Sequence, residues 1–173
     1  MDTANTITTT KGTFPLCREE FPDIGVAICL PEDFHDLPNE EKPQSIAVPG
    51  AVSVVRADME NKFVFTINSL AVKVEAGQTE GEAAVWLVAE QQKILSHSTP
   101  NYQEFGVGNR ENDGHTIALL RFASNSSDGA IYNVSYVCIH EEKMILGTFS
   151  CPFSDYIEWD VVFSMCLGTL RFI

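Results

Sequence analysis

His115-Thr-Ile-Ala-Leu-Leu-Arg-Phe-Ala123 and Ile131-Tyr-Asn-Val-Ser-Tyr-Val-Cys-Ile139 are the stretches whose reading decides the fold. Both are made up mostly of apolar residues, and between them lies Ser127-Asp-Gly129, a turn signal. In both, apolar residues fall on the even and the odd positions alike. A strand with one wet face alternates, so two adjacent strands that do not alternate must be covered on both faces. The spacing therefore predicts an antiparallel hairpin at the centre of a sheet, with a layer packed on each side.

Outward from this pair the pattern continues. Asn112-Asp-Gly114 and Glu141-Glu-Lys143 bound two further strands, making four hairpin-linked strands from Tyr102 to Phe149. Upstream, Ala51 to Ala57 and Phe63-Val-Phe-Thr-Ile-Asn68 read as strands around a polar turn at residues 58–62. Phe63, Phe65 and Ile67 share one parity and Leu70, Val72 and Val74 the other, which predicts a bulge near Ser69. Ile24-Gly-Val-Ala-Ile-Cys-Leu30 is a further strand.

Two helices are expected. Thr79-Glu-Gly-Glu82 is a capping box, followed by an apolar stripe of Ala84, Leu87, Val88, Ile94 and Leu95 up to Ser98-Thr99-Pro100. After Cys151-Pro152, with Ser154 or Asp155 as cap, Tyr156, Trp159, Phe163, Cys166, Leu167 and Leu170 form a second stripe. The sum is an α+β chain: an α/β/α three-layer sandwich around a central antiparallel sheet of about six strands. Residues 1–11, polar and Thr-rich, read as a disordered N-terminal tail, and residues 12–173 as one domain.

Composition narrows the function. Eleven Lys and Arg against 24 Asp and Glu leave a formal charge of −13, which repels phosphate backbones and anionic lipid, so nucleic acid and membrane insertion are not expected. The opening residues have neither a basic nor an apolar leader pattern. Cys17, Cys29, Cys138, Cys151 and Cys166 are scattered and odd in number, which suits reduced thiols and a cytoplasmic setting. Cys151 stands before a helix N-terminus, where the dipole lowers a thiol pKa, although a packed strand-end residue is the plainer expectation.

His35, His97, His115 and His140 lie at least 18 residues apart, with no metal-ligand spacing. No phosphate-binding glycine loop or nucleophile motif occurs. No catalytic, cofactor or metal residue is assigned, and binding ranks ahead of catalysis. The expected contact surface is the long loop from Pro31 to Pro49, in which Glu32, Asp33, His35, Asp36, Glu40 and Glu41 surround Phe34 and Leu37. Charged rims around an apolar anchor suit protein recognition. The competing expectation is that Phe34 and Leu37 tuck the loop onto the core.

Gly25-Val-Ala-Ile-Cys-Leu-Pro-Glu-Asp-Phe34, Phe63 to Asn68, Pro100-Asn-Tyr-Gln-Glu-Phe105, Ala130-Ile-Tyr-Asn-Val134 and Gly147-Thr-Phe-Ser-Cys-Pro152 followed by Trp159, taken in order, resemble bacterial proteins of the PsbP-like superfamily. That superfamily includes the Ran guanine-nucleotide release factors and the DcrB-like proteins. The resemblance implies the same sandwich and a role in protein contacts: a cytoplasmic, non-enzymatic binding module or adaptor. Alternatives are a chaperone for an apolar segment of a secreted effector, or a small-ligand binder or enzyme with a pocket between sheet and helix.

Overall fold

The computed structural model describes residues 5–37 and 52–173. In chain order the elements are β1 (Asn5–Thr9), β2 (Gly12–Phe21), β3 (Val26–Pro31), β4 (His35–Asp36), β5 (Val52–Asp58), β6 (Phe63–Ala71), α1 (Glu80–Ser98), β7 (Gln103–Asn112), β8 (His115–Ser126), β9 (Gly129–His140), β10 (Lys143–Pro152), α2 (Tyr156–Gly168) and β11 (Arg171–Phe172).

Among the described residues the central sheet has seven antiparallel strands in the order β4-β5-β6-β10-β9-β8-β7. The predicted hairpin lies inside it, between β10 and the last strand β7: β8 and β9 pair from Ser126↔Gly129 to Ile117↔Cys138 without a slip. Both faces are covered, as the lack of alternation requires. On one side Ala118, Leu120, Phe122, Val137 and Ile139 meet Ala83, Ala84 and Val88 of α1. On the other, Ile117, Leu119, Val134, Tyr136 and Cys138 meet Trp159, Val162, Phe163, Cys166 and Leu167 of α2.

The second face holds more than a helix. β1-β2-β3-β11 form a separate four-stranded sheet, and its Val26, Ile28 and Leu30 enter the same core as α2. The terminus expected to be disordered carries β1, which pairs with β2 from Thr9↔Gly12 to Asn5↔Leu16. Thr-Ile-Thr-Thr is a β-branched run that fits a pleated surface, and Ile7 is buried in the core. Lys11 then pairs with Asp155, and the Thr10 hydroxyl donates to Glu158, so the hairpin is tied to α2.

The bulge expected near Ser69 is not there, because β6 keeps one register against β10 from Val64↔Ser150 to Ala71↔Lys143. Its apolar residues change parity because the cover changes. Phe63, Phe65 and Ile67 point toward α2, whereas Val72 and Val74, just past the strand, pack beside α1. The irregularity lies instead in β7, between Glu104 and Gly106.

The capping box of α1 is present, with Glu82 N donating to Thr79 Oγ1 at 3.2 Å and Thr79 N to Glu82 at 2.8 Å. Ile94 is not on its buried stripe: six residues beyond Val88 is about 240° around the helix, and its side chain is exposed. Asp155 is the N-cap of α2 but makes no side-chain cap bond, its carboxylate being paired with Lys11. No helix among the described residues is long and apolar enough to cross a membrane.

Candidate functional site: an acidic sheet edge

The segment after β3 is pinned from within. Glu32 N donates to Pro15 O and Phe34 N to Pro31 O, each at 3.0 Å. Phe34 is buried and its ring stacks 6.3 Å from that of Trp159. Leu37 packs with Val55, Ala57 and Val64. The two apolar residues therefore anchor the segment inward, while Glu32 and Asp33 before Phe34, and His35 and Asp36 between the two, remain exposed. Glu40 and Glu41 lie outside the described residues.

β4 pairs with β5 through His35↔Ala57 and Asp36↔Arg56, as the last strand of the central sheet among the described residues. Beside it, the turn from β5 to β6 is shaped by Asp58, whose carboxylate accepts from Asn61 N at 3.1 Å and Asn61 Nδ2 at 2.7 Å. Lys62 completes the turn at φ 58°. This geometry turns Met59 outward, 59% exposed, with Glu60 alongside.

Asp33, His35, Asp58, Met59, Glu60 and Asn61 thus line one open hollow of about 310 Å³. Arg56, the register partner of Asp36, pairs with Glu19 at 2.8 Å and with Asp36 at 3.2 Å, and lies 5.2 Å over the ring of Phe21. Chemically this is an acidic rim around a flexible, polarizable side chain, an arrangement suited to a cationic surface with an apolar contact. Of the residues expected at this surface, Asp33 and His35 line the hollow, Glu32 and Asp36 are exposed outside its lining, Phe34 and Leu37 are buried, and the exposed apolar residue is Met59, contributed by another turn.

The cysteine chemistry resolves toward packing. Cys151 is buried, and burial, then the nearby Asp155 and Asp160 carboxylates, push its thiol up to about 12. That is the opposite of an activated nucleophile.

The structure also gathers residues that linear spacing separated. His115 and His140 meet across β8 and β9 with ring centroids 4.4 Å apart, and Glu80 of α1 reaches them. The signal was present in the hairpin: a turn that sets Ser126 against Gly129 places His115 opposite His140.

No protein-family model matches the chain, and no curated protein matches it by sequence. Solved structures do match. Cyanobacterial PsbP (CyanoP) from Synechocystis sp. PCC 6803 superimposes with a TM-score of 0.68 at 14% identity, over 95% of this chain and 96% of that one. The chain has the PsbP-like fold. The Ran-binding protein Mog1p of Saccharomyces cerevisiae shares it at TM-score 0.59 and 8% identity, over 92% of this chain and 96% of that one. PA94 from Pseudomonas aeruginosa shares it at TM-score 0.54 and 13% identity, over 90% and 96%. In this PsbP-like chain the acidic hollow lies at the β4 end of the sheet, away from β7 at the other edge.

Proposed function

We propose that this chain is a non-enzymatic protein-binding module that takes a basic segment of its partner on the acidic edge around Met59. The observation that carries the reading is the exposed Met59 sharing one hollow with the exposed Asp33 and Glu60. Two further facts support it. The net charge of −13 steers cationic partners toward the chain and repels anionic ones. Mog1p, of the same fold, is a Ran-binding protein.

In this proposal Glu32, Asp33, His35 and Asp36 meet the partner, and Glu40 and Glu41 extend the same acidic stretch in sequence. Phe34 and Leu37 act indirectly, by holding the segment. The setting proposed is the cytoplasm, in keeping with five unpaired thiols. A chaperone for apolar segments suits the geometry less well. The exposed Ile157, Val161 and Met165 of α2 are spaced four residues apart along one face of a single helix.

The test is site-specific photo-crosslinking in cells, with the photoreactive residue at position 59 and, as control, at position 161 on α2. A partner trapped from position 59, and lost in an Asp33→Lys, Glu60→Lys variant, is the expected result. Trapping that survives the charge reversal, or that occurs from position 161 alone, would remove the acidic edge as the contact surface. Asp58 is left unaltered because it holds its own turn. Exposed charges are screened within about 8–10 Å at physiological salt, so the affinity of the trapped pair should fall as salt rises.

A further inference from the structure

His115 opens β8 and His140 closes β9, and the register that pairs Ile117 with Cys138 sets the two opposite each other. Their rings meet edge-on at 4.4 Å between centroids. Phe172 of β11 packs against both, at 4.6 Å and 4.5 Å, and limits how far either ring swings away. Glu80, in the first turn of α1, completes the group. One carboxylate oxygen and one nitrogen from each ring all lie within 4.8 Å of one another, and all three residues are half-buried. Thr79 and Glu82 close the capping box between themselves, so the cap does not use the Glu80 carboxylate.

We propose that Glu80, His115 and His140 form a binding site for a divalent transition-metal ion, Zn²⁺ being the ion that the donors suit best. Two imidazole nitrogens and one carboxylate oxygen are a zinc donor set that leaves one coordination position open. Mg²⁺ and Ca²⁺ prefer all-oxygen shells. Zinc bonds of about 2.0–2.2 Å put tetrahedral ligands about 3.4 Å apart, so the group closes on an ion through side-chain shifts of about 1 Å. An open hollow of about 350 Å³, lined by Gly25, His140, Glu141, Lys143, Phe172 and Ile173, adjoins His140.

Glu141 and Glu142 directly follow His140 as the two central residues of the β9–β10 hairpin turn, at φ 49° and 60°, and that tight turn fixes where β9 ends. An ion here would fasten the first turn of α1 to the ends of β8 and β9. The acidic edge takes no part, so this site and the partner surface stand or fall separately.

The test uses the full chain, stripped with a chelator, dialysed, and titrated with ZnCl₂ in a weakly coordinating buffer by calorimetry. One ion per chain is expected. Glu80→Gln and His140→Gln should each weaken binding at least tenfold, whereas a His35→Gln, His97→Gln control should not. Glu80→Gln keeps both capping-box partners, so circular dichroism should show it folded. Zinc should raise the melting temperature of the native chain and not that of Glu80→Gln. X-ray absorption at the zinc edge should show only nitrogen and oxygen neighbours. The proposal is overturned by the absence of saturable binding, by unchanged affinity in Glu80→Gln and His140→Gln, or by sulfur in the zinc shell.

Discussion

The indole of Trp159 in α2 lies 3.6 Å, centroid to centroid, from the ring of Phe63 in β6. Phe14 of β2 approaches the same indole at 5.1 Å and Phe34 at 6.3 Å. One side chain thus joins the helix, both sheets and the segment that carries the acidic edge. Trp159→Ala should cost about 3–5 kcal/mol, read as a fall in the urea midpoint. It should also speed hydrogen exchange at Asp33 to Asp36, since Phe34 loses its stacking partner. An unchanged midpoint would contradict the burial of this residue.

Gly147 of β10 lies beneath Tyr136, whose hydroxyl donates to Thr66 O at 3.1 Å. A Cβ at this position would collide with that carbonyl oxygen and that hydroxyl. Gly147→Ala should therefore destabilise by about 1–3 kcal/mol or more. Adding Tyr136→Phe removes the hydroxyl clash but keeps the ring carbon Cζ, 2.6 Å from the added Cβ, and the carbonyl, so the double variant should recover at most a small part of the lost melting temperature. Full recovery would place the strain in the hydroxyl contact alone.

The Glu141-Glu142 turn joins β9 to β10 with both residues at positive φ. Two-residue hairpin turns of this kind favour Asn-Gly. Glu141→Asn with Glu142→Gly should stabilise the chain by about 1 kcal/mol, seen as a higher denaturation midpoint. A drop would mean that the glutamate side chains make contacts worth more than the strain.

Burial pushes the thiols of Cys138 and Cys151 up to about 12, with Glu80 and Glu111 adding to the first and Asp155 and Asp160 to the second. Burial likewise raises the hydroxyl of Tyr136 well above its ordinary value. These groups hold their protons more tightly folded than unfolded. Their contribution to stability is complete below about pH 8.5, where an unfolded thiol is protonated, and is lost as pH rises toward 12. Denaturation midpoints should accordingly fall between pH 9 and 11. At neutral pH, Ellman's reagent should reach exposed Cys17 quickly and Cys138, Cys151 and Cys166 only after unfolding. All five should titrate in denaturant without reductant, and a shortfall would reveal a disulfide.

Local and nearest-neighbour chemistry was legible in the chain. The turn residues at 112–114, 127–129 and 141–143, the mixed parity of β8 and β9, and the Thr79-Glu82 box each specify their element through contacts a few residues away. They led to both helices and the four-strand core of the sheet. Where the reading missed, the deciding contact came from far along the chain. Residues 5–9 are a strand because β2 pairs with them and the core accepts Ile7. The parity change in β6 reflects which helix covers which end, not a bulge.

The site divides in the same way. Sequence by itself determined the acidity, the exposed carboxylates at 32, 33 and 36, and the cross-strand arithmetic that pairs His115 with His140, because charge and hairpin register are properties of the chain. Tertiary structure alone decided that Phe34 turns inward to Trp159, that Met59 from the β5–β6 turn takes its place outside, and that Glu80 reaches the two histidines. Those outcomes depend on which surfaces compete for a shared core, and an apolar residue in a loop carries no local mark of whether it will be covered.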